Sequence, residues 1–419
     1  MPVGRLEIRT YRSLDELGTL RPSWNELLAS YPLATTFSTA EWLLPWWRSF
    51  GKDQELLVVG SFDESSRLVG LAPLSLSRVR VAKAISLRLL RLMGDGSQDS
   101  DNLDLPVRPG FEDRFAESLL QFLESQRSSW DFAELNTMPP GSPGADALRR
   151  RLGQRKWVAI EKRRPASAIA LPATWEEFLQ RLSAKERGKI AYYGKRLEKK
   201  YQVRFYRCES ESDLSGCLEA LFNLHQKHWQ IAGQPGSFAS TERRQFYLDL
   251  GRTLLAQGLL EFWLLDLNGQ PAAAQFGFRF ANTVSQLQEG YDRKYSTDSV
   301  GYILRARVIQ EMIARGMRTY DFLGGEPGYK AKWGAQAGYY EDLQFARPFS
   351  AGAAYVQARN HAGRGKSWLR RNLPGTAWGV LHKMNVGIRR RDRKARPPMN
   401  AGNEETAQDP QSANGKQEE

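Results

Sequence analysis

Gly290-Tyr291-Asp292, Ser299-Val300-Gly301-Tyr302, Tyr320-Asp321-Phe322-Leu323-Gly324-Gly325 and Gly328-Tyr329-Lys330-Ala331-Lys332-Trp333-Gly334 follow one another between positions 290 and 334. They read as a strand, a glycine-containing turn, a long helix, a second strand and a loop that carries a lysine. A helix that starts directly after a strand end offers unpaired backbone N–H groups to an anion. Ser299, Val300, Gly301 and Tyr302 would act there through their amides, and Gly301 lets a phosphate approach closely. A lysine on the next loop can stabilise negative charge that develops nearby. Together these features point to group transfer from a phosphate-bearing carrier, of which coenzyme A is one.

The pattern repeats upstream. In the first half, helices are expected over 13–30 and from the Ser38-Thr39-Ala40-Glu41 capping box through Trp47. Strands at 55–62 and 68–76 flank Asp63-Glu64-Ser65-Ser66 as a hairpin. Strands follow at 87–93 and 103–107, a helix at 111–126 and a strand at 130–136, ended by the break Pro139 to Gly144. The second half gives helices at 174–201, 212–230 and 241–257. A hairpin turns at Asn268-Gly269, and a strand at 284–291, a helix at 300–315 and strands at 318–323 and 340–346 complete it. Trp130-Asp131-Phe132 and Tyr320-Asp321-Phe322 both open the strand after a long amphipathic helix. The expected fold is α/β (α+β): two tandem units from one duplication, each a mixed, largely antiparallel sheet flanked by helices. The expected domains are 1–164, 165–346, a basic amphipathic extension at 347–396 and a polar, disordered tail at 397–419.

A chain of 419 residues suits two domains, and 41% hydrophobic residues provide sizeable cores. Two cysteines, Cys208 and Cys217, make no disulfide framework, and no metal site is expected. The N-terminus lacks a signal-peptide apolar run and no stretch is long enough to span a bilayer, so the expected location is cytoplasmic. The net charge of +13 is concentrated: 13 Lys/Arg face one acid between Arg347 and Arg396. Such an extension implies an anionic partner, either nucleic acid or the inner face of the plasma membrane.

The second half resembles the acetyltransferase domain of the GNAT superfamily in its CelD/BioF-like group, which is linked to polysaccharide and cell-envelope biosynthesis. It is also similar to the Fem-type aminoacyltransferases, which carry two tandem GNAT-like units. The resemblance covers about 165–346. It rests on the basic helix at 182–201, Leu224-His225-Gln226-Lys227-His228-Trp229, Gly290-Tyr291-Asp292, Ser299-Val300-Gly301, Tyr320 to Gly325 and Tyr329-Lys330. In the first half it is an outline, including Phe37-Ser38 to Trp47. The family's pyrophosphate loop resembles Gln/Arg-x-x-Gly-x-Gly/Ala, whereas positions 294–301 hold one glycine. The resemblance implies an N-acyltransferase that uses acetyl-CoA or another acyl-CoA, with no metal. The acceptor would be an amine on a sugar, a lipid-linked sugar or an envelope precursor. The rival readings are aminoacyl-tRNA as donor and a silent adaptor recruited to the membrane.

Lys330 is the first catalytic candidate, since the resemblance implies a lysine here that contacts the reacting carbonyl or a phosphate. The alternative is an exposed loop lysine. His225 suits a general base or an acceptor-binding group, and equally a structural histidine. His228 and Trp229 sit one turn on. Asp321 and Asp292 end strands, where a carboxylate orients an amine or caps a turn. Tyr291, Tyr302 and Tyr329 line an acceptor cleft, protonate a leaving thiolate or simply pack. Lys185, Arg187, Lys189, Lys195, Arg196, Lys199 and Lys200 grip phosphates or form a solvated face. The acid-rich loop from Gly94 to Asp101 reads better as a cleft lining than as a calcium loop.

Overall fold

The computed structural model describes residues 6–82, 85–231, 236–325 and 328–372. The part of the expected basic extension beyond residue 372 and the whole of the polar tail lie outside the described residues. In the first unit the strands are β1 (Glu7–Tyr11), β2 (Glu55–Phe62), β3 (Leu68–Ala82), β4 (Ile85–Leu92), β5 (Phe132–Met138) and β6 (Val158–Ala170). Its helices are α1 (Leu14–Ala29), α2 (Ala40–Phe50), α3 (Glu112–Ser125) and α4 (Pro143–Gln154). The second unit adds helices α5 (Trp175–Arg181), α6 (Ala184–Lys200), α7 (Glu211–Ile231), α8 (Thr241–Ala256) and α9 (Val300–Ala314). Its strands are β7 (Val203–Arg207), β8 (Leu260–Leu267), β9 (Gln270–Phe280), β10 (Thr283–Tyr291), β11 (Thr319–Gly324) and β12 (Gln336–Ala346). Helix α10 (Ala351–Asn372) follows.

All twelve strands form one sheet in the order β1-β2-β3-β4-β5-β12-β6-β11-β10-β9-β8-β7. The order is palindromic: each run of five strands is closed by the last strand of the other unit. Phe345 of β12 pairs with Ala133 of β5, and Tyr320 of β11 pairs with Ile169 of β6. Strands β6 and β12 themselves pair antiparallel from Gln336↔Ala168 to Ala346↔Val158. Strand β6 runs unbroken across residue 164. Among the described residues each unit has one parallel pair, and it is short: Leu89 to Arg91 against Phe132 to Glu134, and Thr283 to Ser285 against Thr319 to Asp321.

Period-2 alternation sets the two faces of the second unit. Leu260, Phe262 and Leu264 of β8 join the core under α7 and α8, whereas Trp263, Leu265 and Leu267 join the core under α9. The first of these cores is continuous with the first unit. Trp42 meets Phe246 and Phe278 at ring separations of 5.5 and 5.2 Å, and Phe37 meets Phe278 at 5.3 Å. Edge-to-face pairs of this kind contribute about 0.5–1.5 kcal/mol each beyond their buried area, so the units hold together through aromatic packing as well as through the sheet.

Several local expectations are corrected. The helix expected over 174–201 is two helices, because Ser183 caps α6 by accepting the Glu186 amide at 3.3 Å. The Ser38 capping box does not form. Thr39 caps α2 instead, accepting the Trp42 amide at 3.3 Å, and Glu41 pairs with Arg21. The strand expected at 103–107 is reduced to one bridge, Val107 to Gly70. After the break at Gly141, Ser142 and Pro143 start α4, a helix the sequence reading omitted. The two Asp-Phe motifs are also out of register. The parallel pairs align Glu134, not Asp131, with Asp321, and Asp131 sits at the strand's start, bonded to the Arg88 amide at 2.7 Å.

Candidate active site

Beyond Ser285 and Asp321, β10 and β11 separate. Strand β10 bulges between Gln286 and Gln288 and keeps only β9 as partner through Tyr291, while β11 turns toward β6. A wedge opens with one unpaired strand edge on each side. A hydrogen-bond chain underlies it. The Gln275 amide donates to Tyr320 Oη at 2.8 Å, Tyr320 donates to Gln286 Oε1 at 3.1 Å, and the Gln286 amide donates to Glu289 at 2.9 Å. Glu289 in turn pairs with the buried Arg305 of α9. Burial disfavours the Arg305 charge, but Glu289 outweighs it and holds the guanidinium charged.

Helix α9 starts where the wedge opens. Ser299 is in the left-handed region at φ 53°, and the first helical bond runs from the Ile303 amide to Ser299 O at 3.0 Å. The amides of Val300, Gly301 and Tyr302 therefore have no partner within the helix. No acid lies in this first turn. The corresponding helix of the first unit, α3, begins with Glu112 and Asp113, which already complement its dipole. A Cβ on Gly301 would come within 3.3 Å of the Tyr291 ring, so the glycine makes room for that tyrosine. Just upstream, Asp298 bonds Arg196 at 2.6 Å, Lys200 at 3.0 Å and Tyr201 at 2.9 Å, which fixes α6 beside the helix start. Although burial opposes it, these donors pull the Asp298 carboxyl down to about 2.

The turn Gly328–Trp333 packs on α9. Trp333 lies over Tyr302 at 4.4 Å, and the Arg305 guanidinium lies 4.8 Å from the Tyr329 ring centre. This brings Lys330 against the end of β11. Lys330 is 5% exposed, and its Nζ donates to Gly324 O at 2.8 Å, with longer contacts of 3.3 and 3.4 Å to Leu323 O and Phe322 O. Burial pushes its ammonium below the ordinary lysine value, and Asp101 and Asp321 oppose that shift. Leu323 has φ 60°, a strained backbone for a branched residue, and its amide donates to Asp321 Oδ1 at 2.8 Å. Burial pushes the Asp321 carboxyl up to about 6.

Asp101 belongs to the first unit. It accepts the Gly324 amide at 2.9 Å, and burial raises its carboxyl too. Asp101 and Asp321 are both half-buried. The Asp101 loop is rigidly pegged. Indole N–H groups of Trp42 and Trp46 donate to Ser100 and Ser97 at 2.9 and 2.8 Å, and Tyr247 of α8 donates to Asp99 at 2.9 Å. Asn102 reaches Tyr340 Oη at 3.3 Å, and burial raises that phenol. The first unit thus delivers a carboxylate into the second unit's site.

Not all the sequence candidates converge. Lys330, Tyr329, Asp321, Tyr302 and the start of α9 come together. His225 packs on the opposite face of the sheet, 4.9 Å from Phe238, where Gly290 leaves room for its backbone. Asp292 accepts the Lys294 amide at 2.9 Å and pairs with Lys227 at 3.1 Å. The side chains of His228 and Trp229 lie outside what the structure describes. Arg305 and Glu289 were not selected from sequence; Asp101 entered only as the end of a loop read as a cleft lining, and Tyr320 only as part of its strand motif.

A family model described as an acetyltransferase (GNAT) domain matches residues 184–331. A crystal structure of FemX superposes with a TM-score of 0.54 at 11% identity, covering 84% of this chain and 99% of FemX. A conserved protein of unknown function from Bacteroides thetaiotaomicron VPI-5482 superposes with a TM-score of 0.51 at 15% identity, covering 81% of this chain and all of that one. A search of curated protein sequences returns no match. Residues 184–331 thus carry a GNAT-type acetyltransferase domain, and the chain as a whole shares its fold with FemX.

Proposed function

We propose that this protein is an N-acyltransferase that moves an acyl group, acetyl in the simplest case, from acyl-CoA to an amine on a sugar or cell-envelope precursor. The observation that carries this reading is the wedge between β10 and β11, which joins the acid-free start of α9 to the Lys330 cluster. Unpaired strand edges suit a linear, amide-bearing arm, and the free amides of Val300, Gly301 and Tyr302 suit its diphosphate. The donor's thioester then lies toward Lys330.

On the acceptor side, Asp101 and Asp321 attract an ammonium. Asp321, poised near neutrality, takes a proton from the amine. The amine nitrogen then bonds to the thioester carbonyl carbon, the C–S bond breaks, and the surplus proton on nitrogen passes through water to the departing thiolate. Lys330 supplies positive charge beside the tetrahedral oxyanion, a contribution of about 2.7–4 kcal/mol for one well-placed donor.

Ser299→Asp tests the donor site. Asp tolerates the left-handed conformation and caps helices well, so melting should be unchanged or raised. Its carboxylate would repel a diphosphate, and acetyl-CoA affinity measured by calorimetry should fall about ten-fold or more. Unchanged affinity would remove the donor assignment.

A second reading, aminoacyl-tRNA as donor, draws on α6. Lys185, Arg187, Lys195 and Lys199 are exposed there beside Tyr192, which is 57% exposed. Arg196 and Lys200 are already engaged by Asp298. Parallel titrations with acetyl-CoA and charged tRNA separate the two donors.

A further inference from the structure

Strand register brings two exposed apolar side chains to one end of the sheet. Leu89 pairs with Phe132, so Ile85 lies four residues before the level at which β5 begins. Phe345 pairs with Ala133, so Phe349 overshoots the same end from the opposite direction. Phe349 is fully exposed and sits at φ 55°, a backbone region that a bulky residue adopts only under constraint. The constraint is visible. Arg347 donates to Arg127 O at 2.9 Å, and Gly352 abuts the Asp131 carbonyl so closely that a Cβ would lie 1.9 Å from it. Ile85 is 54% exposed.

The same end is basic. Arg78 and Arg80 are exposed on β3, and Arg78 pairs in register with Arg88. Like charges directly opposite are unfavourable. Asp131 neutralises Arg88 at 2.9 Å, but among the described residues neither Arg78 nor Arg80 has a carboxylate within ion-pair distance. Arg127 is exposed as well. From Arg347 onward the sequence adds 13 Lys/Arg against one acid before position 397, together with Trp368 and Trp378.

We infer that this end of the sheet, led by Phe349 and Ile85, docks on an anionic lipid bilayer. Bulky apolar tips among arginines suit a headgroup boundary, where the apolar groups insert and the cations pair with anionic lipid. The surface is separate from the acyl-transfer site. Gly324 pairs with Ala166 and Ala346 with Val158, eight residues apart on β6, or about 26 Å of strand.

The test is co-sedimentation of the full chain with phosphatidylcholine vesicles, with and without phosphatidylglycerol. Binding is expected only to the anionic vesicles and should weaken as salt is raised. Phe349→Glu should lower it about ten-fold or more. Arg80→Glu should lower it about five-fold, and Phe349→Trp should restore it. Melting and acetyl-CoA affinity should not change in any of them. Equal binding to neutral vesicles, or Phe349→Glu binding as the parent does, overturns the inference. So does an RNA duplex whose binding falls with Phe349→Glu while vesicle binding does not. Because acetyl-CoA affinity is read separately, failure here leaves the transferase reading intact.

Discussion

Lys330→Met removes the cation on which the proposed chemistry turns while keeping a side chain of similar length. The structure sets the size of the effect. One short bond, to Gly324 O at 2.8 Å, is lost, and the contacts at 3.3 and 3.4 Å are weak. A hydrogen bond from a charged donor contributes about 1.5–3 kcal/mol. A second, pH-dependent consequence falls on Asp101 and Asp321, whose carboxyls burial raises and Lys330 holds down. Without the cation both rise further. A group whose folded value lies above its unfolded one loses stability as pH rises through the folded value. The deficit of the variant should therefore be about 3 kcal/mol near pH 8 and shrink to about 1–2 near pH 5, where Asp321 takes a proton. Urea unfolding at the two pH values reads this. Acetyl transfer at pH 8 should fall about 10²–10³-fold, the loss expected for one oxyanion donor. A pH-independent deficit, or a rate within a factor of two of the parent, would refute the reasoning.

Other predictions follow from neighbouring groups. In the parent enzyme kcat/KM should fall as pH drops through about 6, where Asp321 protonates, and Asp321→Asn should flatten that limb and slow transfer about 10²-fold or more. Asp298 has a folded value near 2, so its stabilisation is present above the ordinary carboxylate value and is lost as pH falls toward 2. Asp298→Asn should cost about 1–2 kcal/mol at pH 7, about half of that near pH 3 and almost nothing below pH 2, measured by thermal melting. Gly352→Ala forces a methyl against the Asp131 carbonyl, a backbone atom that cannot swing away. It should destabilise by about 1–3 kcal/mol and expose Tyr355, now 5.0 Å from Phe132, to fluorescence quenching.

The elements that make the site were legible because each carries its own local chemistry. Asn268-Gly269 turns the β8–β9 hairpin with both residues at positive φ, and the glycine before a long apolar run marked the start of α9. Lys330 could be singled out because the resemblance supplied a reason to look at a loop lysine. Its burial could not be read, since that depends on Trp333 folding back onto Tyr302 and on Asp101 arriving from the other unit. Strand β6 escaped because Glu161-Lys162-Arg163-Arg164 breaks the apolar alternation at the centre of the sheet. Strands β1 and β7, five residues each at the two outer edges, lack the length that makes a period visible. His225 drew notice for its rarity in the sequence, and rarity says nothing about which face of a sheet a helix covers.

The interchange of β6 and β12 has a consequence for biosynthesis. The first unit has three of its four helices and five of its six strands once Met138 has been made, yet the neighbour that covers β5 is the segment ending at Ala346. Until the ribosome has released more than two hundred further residues, β5 waits with a bare edge, a template for unwanted pairing. The sheet of each half is therefore completed only by a strand of the other, and the edge of β5 stays uncovered until the far end of the second unit is in place.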